Sequence, residues 1–172
     1  EAQAVIEACA EAEAEGLVRA VNFNTPIQTV ISGTEAGVAK AREILSAKGA
    51  KRVLPLVVGG PFHTPLIEKA SHWLEVEMAR VEFRDAEIPV ISNMDAAPAT
   101  EGSVSRAKLV RQVVSPVLWV DSVKAMLASG ITRFIEFGPQ KVLSGMIKNI
   151  DKEAKVLNFG RMEELDDLLS AL

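Results

Sequence analysis

The chain has 172 residues, a length that suits one ordinary domain or a domain with a small appendage. It contains 48% hydrophobic and 24% charged residues and has a mean hydropathy of +0.18, so it predicts a folded protein with a sizeable core. The net charge of −4 argues against nucleic-acid binding, which needs a basic excess to neutralise phosphates. Since no run of 18 apolar residues and no basic, hydrophobic leader is visible, we expect a cytoplasmic protein without a membrane partner.

Residues 1–58 are predicted to fold in the order helix, strand, strand, helix, strand. The first helix contains Cys9, which we interpret as a small buried side chain rather than a nucleophile. Two short β-rich runs then form a hairpin, and the second helix has Thr34 as its N-cap and Gly49 as its left-handed end. The apolar run RVLPLVV predicts a strand buried on both faces. This order is typical of a split βαββαβ unit that lacks its first strand.

Residues 59–172 are predicted to alternate helices with strands. Gly59-Gly60-Pro61 breaks the chain, and Thr64-Pro65 supplies an N-cap and a first-turn proline for a helix. The predicted strands are IPVIS, TRFIEF and KVLNF, with helices between and after them. Such alternation indicates a parallel sheet covered on both faces. Because these strands are few for a doubly wound domain and the chain begins without Met inside a predicted helix, we expect N-terminal sequence to be missing.

The sequence contains two histidines, His63 and His72. They lie nine residues apart, so on one helix they would face opposite ways, which argues against a two-histidine metal site. His72 has charged neighbours and is interpreted as a solvated surface imidazole. His63 follows a predicted buried strand and precedes a helix N-terminus, where the neutral, proton-accepting imidazole is favoured. From position alone, His63 fits a catalytic base and a turn-stabilising residue about equally well.

The remaining polar residues give weaker signals. The carboxylates form no pair with clear acid–base spacing, and Glu136, inside a predicted strand, is interpreted as a buried structural partner. Gly138-Pro139 before a helix could cradle an anion, but two residues are a weak signal. The sequence has no GxSxG, P-loop or GxGxxG motif.

Five segments together resemble one family. They are VNFNTPIQTVISG (21–33), AKRVLPLVVGGPFHTPLI (50–67), IPVISNMDA (88–96), LVRQVVSPVLW (109–119) and FIEFGPQKVLSGMIK (134–148). Segments like these occur in the same order in the malonyl-CoA:acyl-carrier-protein transacylases of type II fatty-acid synthesis. Related segments occur in the acyltransferase domains of polyketide synthases.

The resemblance implies an α/β fold in two parts. Residues 1–58 would form a small ferredoxin-like subdomain without its first strand, and 59–172 the C-terminal part of a large α/β-hydrolase-like subdomain with a parallel sheet. It also implies a ping-pong transfer of malonyl from coenzyme A, through a serine, to the phosphopantetheine thiol of acyl carrier protein. These thioesters would be substrates, and no resident cofactor or metal is expected.

The resemblance further implies roles for three residues. His63 in GPFHTP would be the general base and acid, and the main-chain carbonyl of Gln112 would orient its imidazole. Phe62 would contribute to substrate choice, because a Phe before the histidine accompanies malonyl selection in the polyketide enzymes. The alternative is that Phe62 only anchors the GGPFH turn on the core. The serine, the oxyanion loop and the carboxylate-binding arginine of the family would precede residue 1. The 172-residue chain alone is therefore predicted to be inactive, with the missing N-terminal portion as its partner.

Two other functions are compatible with the residues. An α/β-hydrolase esterase would also use a serine and a histidine, but its histidine normally lies late in the chain, whereas more than a hundred residues follow His63. A non-catalytic fragment or carrier-protein-binding module is the second alternative, because no serine here lies in a nucleophile-elbow sequence. An upstream elbow motif would distinguish these possibilities.

Overall fold

The structure, a computed structural model, describes residues 1–171 as a mixture of helices and short strands, which confirms the predicted α/β class. The α-helices are α1 (Ala2–Ala12), α2 (Glu35–Ala47), α3 (Glu68–Met78), α4 (Gly102–Gln112), α5 (Trp119–Ala128), α6 (Val142–Ile150) and α7 (Leu165–Ala171). The strands are β1 (Val18–Thr25), β2 (Gln28–Gly33), β3 (Val90–Ile91), β4 (Pro98–Ala99), β5 (Arg133–Phe137) and β6 (Lys155–Phe159). Short 3₁₀ turns, Pro65–Ile67 and Met162–Glu164, precede α3 and α7.

The chain divides into two compact units, Glu1–Ser122 and a second that begins at Val123 within α5. Residues within each unit contact one another more densely than they contact the other unit. The boundary between residues 58 and 59 that the sequence suggested stays a prediction.

The first unit begins with a hairpin covered by two helices. β1 pairs antiparallel with β2 from Val18 opposite Gly33 to Thr25 opposite Gln28, as the sequence predicted. One cluster of small and aliphatic side chains joins α1 and α2 to the start of the hairpin, formed by Ala8, Cys9, Ala12, Val18, Ala41, Ile44 and Leu45. Alanines on α1 allow α2 and β1 to approach closely, so this part of the chain has a core of its own.

The ends of α2 are those that the sequence predicted. The Thr34 hydroxyl accepts a hydrogen bond from the Gly37 amide at 3.2 Å, which satisfies one of the free donors of the first turn. After the last turn, Gly49 has φ +84°, a left-handed conformation that glycine adopts without steric cost.

Cys9 is buried in the core between α1 and α2, at 3% exposure. Burial raises the pKa of its thiol to about 11, and the nearby Arg19 opposes that rise without cancelling it. The thiol is therefore protonated near neutral pH and unreactive, which confirms its interpretation as a structural side chain.

The predicted strand RVLPLVV is wrong for the chain as described. Residues 52–58 have no helix or strand assignment, and Leu54, Leu56, Val57 and Val58 are all exposed. No strand within residues 1–171 pairs with them, and an extended run without a partner forms no sheet hydrogen bonds. Its apolar composition nonetheless matches a strand that is buried on both faces.

The predicted strand IPVIS also differs from the structure. Only Val90 and Ile91 are paired, and they pair antiparallel with Pro98 and Ala99 rather than in a parallel sheet. A parallel bridge does join β1 to the segment after α4, where the Phe23 amide donates to the Val117 carbonyl at 3.0 Å and the Val117 amide donates to Val21 at 2.7 Å. The segment that leaves α4 is thereby fixed against the hairpin.

The second unit contains the predicted parallel pair. β5 and β6 pair in register from Arg133 opposite Lys155 to Phe137 opposite Phe159, with α6 between them in the chain. The rings of Phe137 and Phe159 meet edge to face at 5.8 Å. This β–α–β unit confirms the assignment of TRFIEF, KVLSGMIKNI and KVLNF.

Among residues 1–171, no helix combines the length and the apolar character that crossing a membrane requires.

Candidate active site

His63 has an unusual backbone conformation. Its φ is +61°, in the left-handed region, which costs a residue with a side chain about 1–2 kcal/mol. Such strain persists only where the surroundings enforce it, and it occurs preferentially at functional sites. The conformation favours the catalytic interpretation of His63 over that of an ordinary turn residue.

Thr64 enforces this turn. Its side chain is fully buried, and its hydroxyl donates to the Pro61 carbonyl at 2.6 Å while accepting from the Leu66 amide at 3.3 Å. These two bonds span His63 on both sides, from the residues before it to the first turn after it. Thr64 is thus the N-cap that the sequence predicted, and it holds the backbone of His63 in place.

The imidazole of His63 contacts the end of α4. Its Nδ1 lies 3.1 Å from the main-chain oxygen of Gln112, so the structure brings together the two residues that the family resemblance paired. A carbonyl can only accept a hydrogen bond, and Nδ1 must therefore carry the proton. In the neutral ring Nε2 then keeps its lone pair, which makes it the atom able to accept a proton.

The carbonyl of Gln112 is available because α4 ends there. The last carbonyls of a helix lack an intrahelical partner, and together they carry a partial negative charge that favours N–H donors. The Gln112 oxygen accepts from the Ser115 amide at 3.2 Å and from His63 with its second lone pair. A helix end therefore offers this imidazole the kind of contact that a carboxylate offers the histidine of a Ser-His-Asp triad.

Phe62, the residue before His63, is half exposed at 52%. Its amide donates to the Gly60 carbonyl at 2.9 Å, which tightens the Gly-Gly-Pro turn. The described residues do not enclose the ring, and both interpretations of Phe62, substrate choice and anchoring of the turn, stay predictions.

His72 lies apart from these contacts on the surface of α3. Its side chain is 73% exposed, and its nearest ionic neighbour is Glu75, with Nδ1 and Oε2 3.8 Å apart. This confirms its interpretation as a solvated imidazole. Residues 1–171 contain no group of three or more His, Cys, Asp or Glu side chains placed to hold a metal ion.

Glu136 is a structural residue of the second unit. Its carboxylate accepts from the Leu143 amide at 3.0 Å, from the Ser144 amide at 2.8 Å and from the Asn158 side chain at 3.1 Å. Burial alone would raise its pKa, but these hydrogen bonds outweigh burial and hold the pKa below its ordinary value. The N-terminus of α6, where Gly138-Pro139 suggested an anion site, thus receives a carboxylate from the chain itself.

Sequence reasoning missed two contacts beside His63. The Gln112 side chain hydrogen-bonds the turn that follows α4, and the Ser71 hydroxyl donates to the Val110 carbonyl at 2.7 Å, tying α3 to the last turn of α4. The second contact joins residues 39 positions apart and has no local pattern. For the first, the Ser115-Pro116 pair, which disfavours a continuing helix, was the available signal.

No protein-family model matches the chain. The chain is 40% identical over 160 residues to the malonyl CoA-acyl carrier protein transacylase of Bacillus subtilis (strain 168), a match that covers 93% of this chain and 50% of that protein. It is also similar to the crystal structure of an acyl-carrier-protein S-malonyltransferase from Burkholderia pseudomallei 1710b, with a TM-score of 0.94 and 43% identity over 98% of this chain and 55% of that one.

A third relative is a malonyl-transacylase solved in complex with its type II polyketide synthase acyl-carrier protein, with a TM-score of 0.94, 33% identity and coverage of 99% of this chain and 55% of that one. The chain thus spans about half the length of the relatives it matches. It is related, over nearly its whole length, to the malonyl CoA-acyl carrier protein transacylases, and the resemblance predicted from the five segments is confirmed.

Proposed function

We propose that this chain is the histidine-bearing part of a cytoplasmic acyltransferase of fatty-acid biosynthesis, which moves malonyl from coenzyme A to the phosphopantetheine thiol of acyl carrier protein. The observation that carries the proposal is the contact between His63 Nδ1 and the Gln112 carbonyl, which leaves Nε2 free to accept a proton. The similarity to proteins named for this transfer supplies the substrates.

In the first half-reaction, His63 Nε2 takes the proton of a serine hydroxyl that the rest of the enzyme supplies. The serine oxygen attacks the thioester carbonyl of malonyl-CoA, and the carbon–sulfur bond breaks as the tetrahedral intermediate collapses. The imidazolium returns its proton to the departing coenzyme A thiolate, which leaves malonyl on the serine.

In the second half-reaction, Nε2 takes the proton of the phosphopantetheine thiol, and the resulting thiolate attacks the malonyl ester. The serine oxygen leaves and recovers its proton from His63, so the enzyme ends as it began. Throughout, the Gln112 carbonyl accepts from Nδ1–H. It holds the tautomer without adding a full negative charge, which suits a site that must also accept the malonyl carboxylate.

We propose the finer fold that the family implies, a ferredoxin-like small subdomain over residues 1–58 and part of an α/β-hydrolase-like subdomain over 59–172. The hairpin β1–β2 with α1 and α2 on one side supports the first. The exposed apolar run 52–58 also supports the first, since its composition suits a strand between two others. The parallel β5–β6 pair, with α6 between its strands in the chain, supports the second. The missing N-terminal portion of the same enzyme is the partner proposed to supply such neighbours.

Acyl carrier protein and malonyl-CoA are the partners proposed for the intact enzyme, with no nucleic acid and no membrane. One relative was solved together with its acyl-carrier protein, which supports the first of these. We also propose that the transfer needs no resident cofactor, because both half-reactions are balanced by the proton movements of one imidazole.

The proposal can be tested in a hybrid enzyme, in which this chain replaces the segment that it matches in the Bacillus subtilis transacylase. The rest of that relative then supplies the serine. Malonylated acyl carrier protein is measured by mass spectrometry after incubation with malonyl-CoA. Transfer that depends on His63 supports the proposal, and a folded hybrid without transfer contradicts it.

A further inference from the structure

The side chain of Gln112 makes two hydrogen bonds that its main-chain role does not require. Its Nε2 donates to the Ser115 carbonyl at 3.0 Å and to the Pro116 carbonyl at 3.2 Å. We propose that this side-chain amide is a positioning group for His63, because it fixes the peptide whose carbonyl orients the imidazole. Gln112 thus has two roles. Its main-chain carbonyl orients the His63 ring, and its side-chain amide holds that carbonyl in place.

We call the two hydrogen bonds that the Gln112 side chain donates to the Ser115 and Pro116 carbonyls the clamp, and few other bonds hold the turn after α4. Residue 112 is the last of the helix, and only the Ser115 amide, at 3.2 Å, ties its carbonyl to the following turn. Pro116 has no N–H, so it cannot supply a further backbone donor. The Gln112 side-chain amide instead connects the helix end to the carbonyls of residues 115 and 116. A displacement of the helix end relative to the turn, which would move the Gln112 carbonyl away from His63, then breaks these bonds.

The clamp is anchored beyond the turn. Val117, the next residue, exchanges backbone hydrogen bonds with β1, and the Leu118 amide donates to the Asn93 carbonyl at 2.8 Å. A continuous series of bonds therefore runs from the hairpin, through the turn and the Gln112 amide, to the ring of His63. The position of the imidazole depends on β1, a strand that ends 38 residues before His63 in the sequence.

The contacts require an amide rather than a carboxylate at this position. Two carbonyl oxygens face one end of the side chain, so that end must donate, which fixes the orientation of the amide. A glutamate side chain would place a carboxylate oxygen, which cannot donate, against the Ser115 and Pro116 carbonyl oxygens. The other end, Oε1, is buried without a hydrogen-bond partner among the described residues, so the donor bonds alone hold the side chain in place.

Loss of the clamp should change the tautomer of His63. A mobile Gln112 carbonyl no longer keeps the proton on Nδ1 of His63. The neutral ring can then carry the proton on Nε2, and Nε2 is no longer able to accept one. The tautomer ratio should fall roughly 3- to 10-fold, the value of one ordinary hydrogen bond. The structural part of the inference stands by itself, whereas its effect on turnover rests on the proposed function.

The test is nitrogen NMR of the 172-residue chain labelled at histidine, at about pH 9, where an ordinary imidazole is neutral. The chain has two histidines, so exposed His72 is an internal reference in every spectrum. In the wild type, His63 should carry its proton on Nδ1. In Gln112→Leu and Gln112→Glu, which keep the approximate size but remove the donors, the Nε2–H form should grow while the His72 signals stay unchanged.

Ser71→Ala is the matched control. It removes a hydrogen bond of similar length to the Val110 carbonyl, in the last turn of the same helix, without touching residue 112. The inference is overturned if the wild type already carries the His63 proton on Nε2, if folded Gln112 variants keep the wild-type ratio, or if Ser71→Ala shifts the ratio equally.

In the hybrid enzyme, Gln112→Leu should lower kcat roughly tenfold or less, with KM for malonyl-CoA nearly unchanged, because a positioning group acts on the base and not on the substrate. A hybrid that is folded but transfers no malonyl would contradict the proposed function and leave the tautomer result standing. An unchanged tautomer in an active hybrid would contradict only the role of the Gln112 side chain.

Discussion

The ring Nδ1 of His63 lies 3.1 Å from the main-chain oxygen of Gln112, across 49 residues of sequence. One partner sits in a left-handed turn before α3, and the other is the last residue of α4. The backbone of His63 is strained, and such strain persists only where the surroundings enforce it. Gln112 ends its helix, so its carbonyl has no intrahelical partner. The contact uses both features to define one proton-accepting atom, Nε2.

Replacement of His63 by alanine should lower malonyl transfer by the hybrid enzyme by roughly two to four orders of magnitude, the usual contribution of a general base. His63→Asn removes the base while preserving the backbone conformation, because asparagine tolerates the left-handed conformation but cannot take a proton at neutral pH. His72→Ala should change turnover little, since that side chain is exposed on α3. Equal losses from the His63 and His72 variants would contradict the assignment.

Thr64→Val should destabilise the first unit by about 1–3 kcal/mol, because it leaves the Pro61 carbonyl and the Leu66 amide without their buried partner. Urea unfolding followed by the fluorescence of Trp73 and Trp119 measures the change. Thr64→Ser keeps the hydroxyl and is the control, with a loss well below that of the valine variant. A loss of stability in Thr64→Ser without one in Thr64→Val would show that the methyl group and not the hydroxyl holds the turn.

Phe62→Ser should relax selection against a 2-methyl branch on the acyl group. A phenyl ring beside the base occupies the volume that the extra methyl needs, and one methyl is worth roughly 10- to 200-fold in discrimination. The measurement is the ratio of kcat/KM for malonyl-CoA and methylmalonyl-CoA in competition, in the hybrid enzyme. An unchanged ratio in a folded variant would leave Phe62 only a role in the turn.

Glu136→Gln should destabilise the chain at pH 7 by about 0.5–2 kcal/mol, as expected when a helix N-terminus loses its carboxylate. Hydrogen bonds lower the folded-state pKa of Glu136, so its stabilising contribution is complete above the unfolded value near 4.3 and disappears as the pH falls through the folded value. The difference between the wild type and the variant should therefore shrink as the pH falls from neutral into the acid range. Urea unfolding followed by circular dichroism at pH 7 and in acid tests this, and a pH-independent difference would exclude the charge as its cause.

The sequence predicted the elements whose causes are local. The Thr34 cap, the Gly49 end of α2, the hairpin and the β5–α6–β6 unit depend on residues a few positions apart, and each is found where the pattern placed it. The strand predicted at 52–58 is different, because a strand exists only with a neighbour and none of the described residues provides one. Composition predicted its apolar character but not its pairing.

The candidate site divides in the same way. The place of His63 after Gly-Gly-Pro made it a candidate, and the family resemblance supplied the predicted roles of both His63 and Gln112. The left-handed backbone at His63 and the side-chain bonds of Gln112 were not recognisable, because they depend on how α3, α4 and the following turn pack in space. The sequence patterns identified His63 and Gln112 but not the contacts that position them.

The most direct test of the account is malonyl transfer to acyl carrier protein by the hybrid enzyme, its His63→Ala variant and the 172-residue chain alone, measured side by side. We expect transfer from the hybrid, a loss of roughly two to four orders of magnitude in the variant, and no transfer above a buffer control from the chain, which has no serine in a nucleophile-elbow sequence. Undiminished transfer by the folded His63→Ala variant would contradict the claim that this chain supplies the catalytic base.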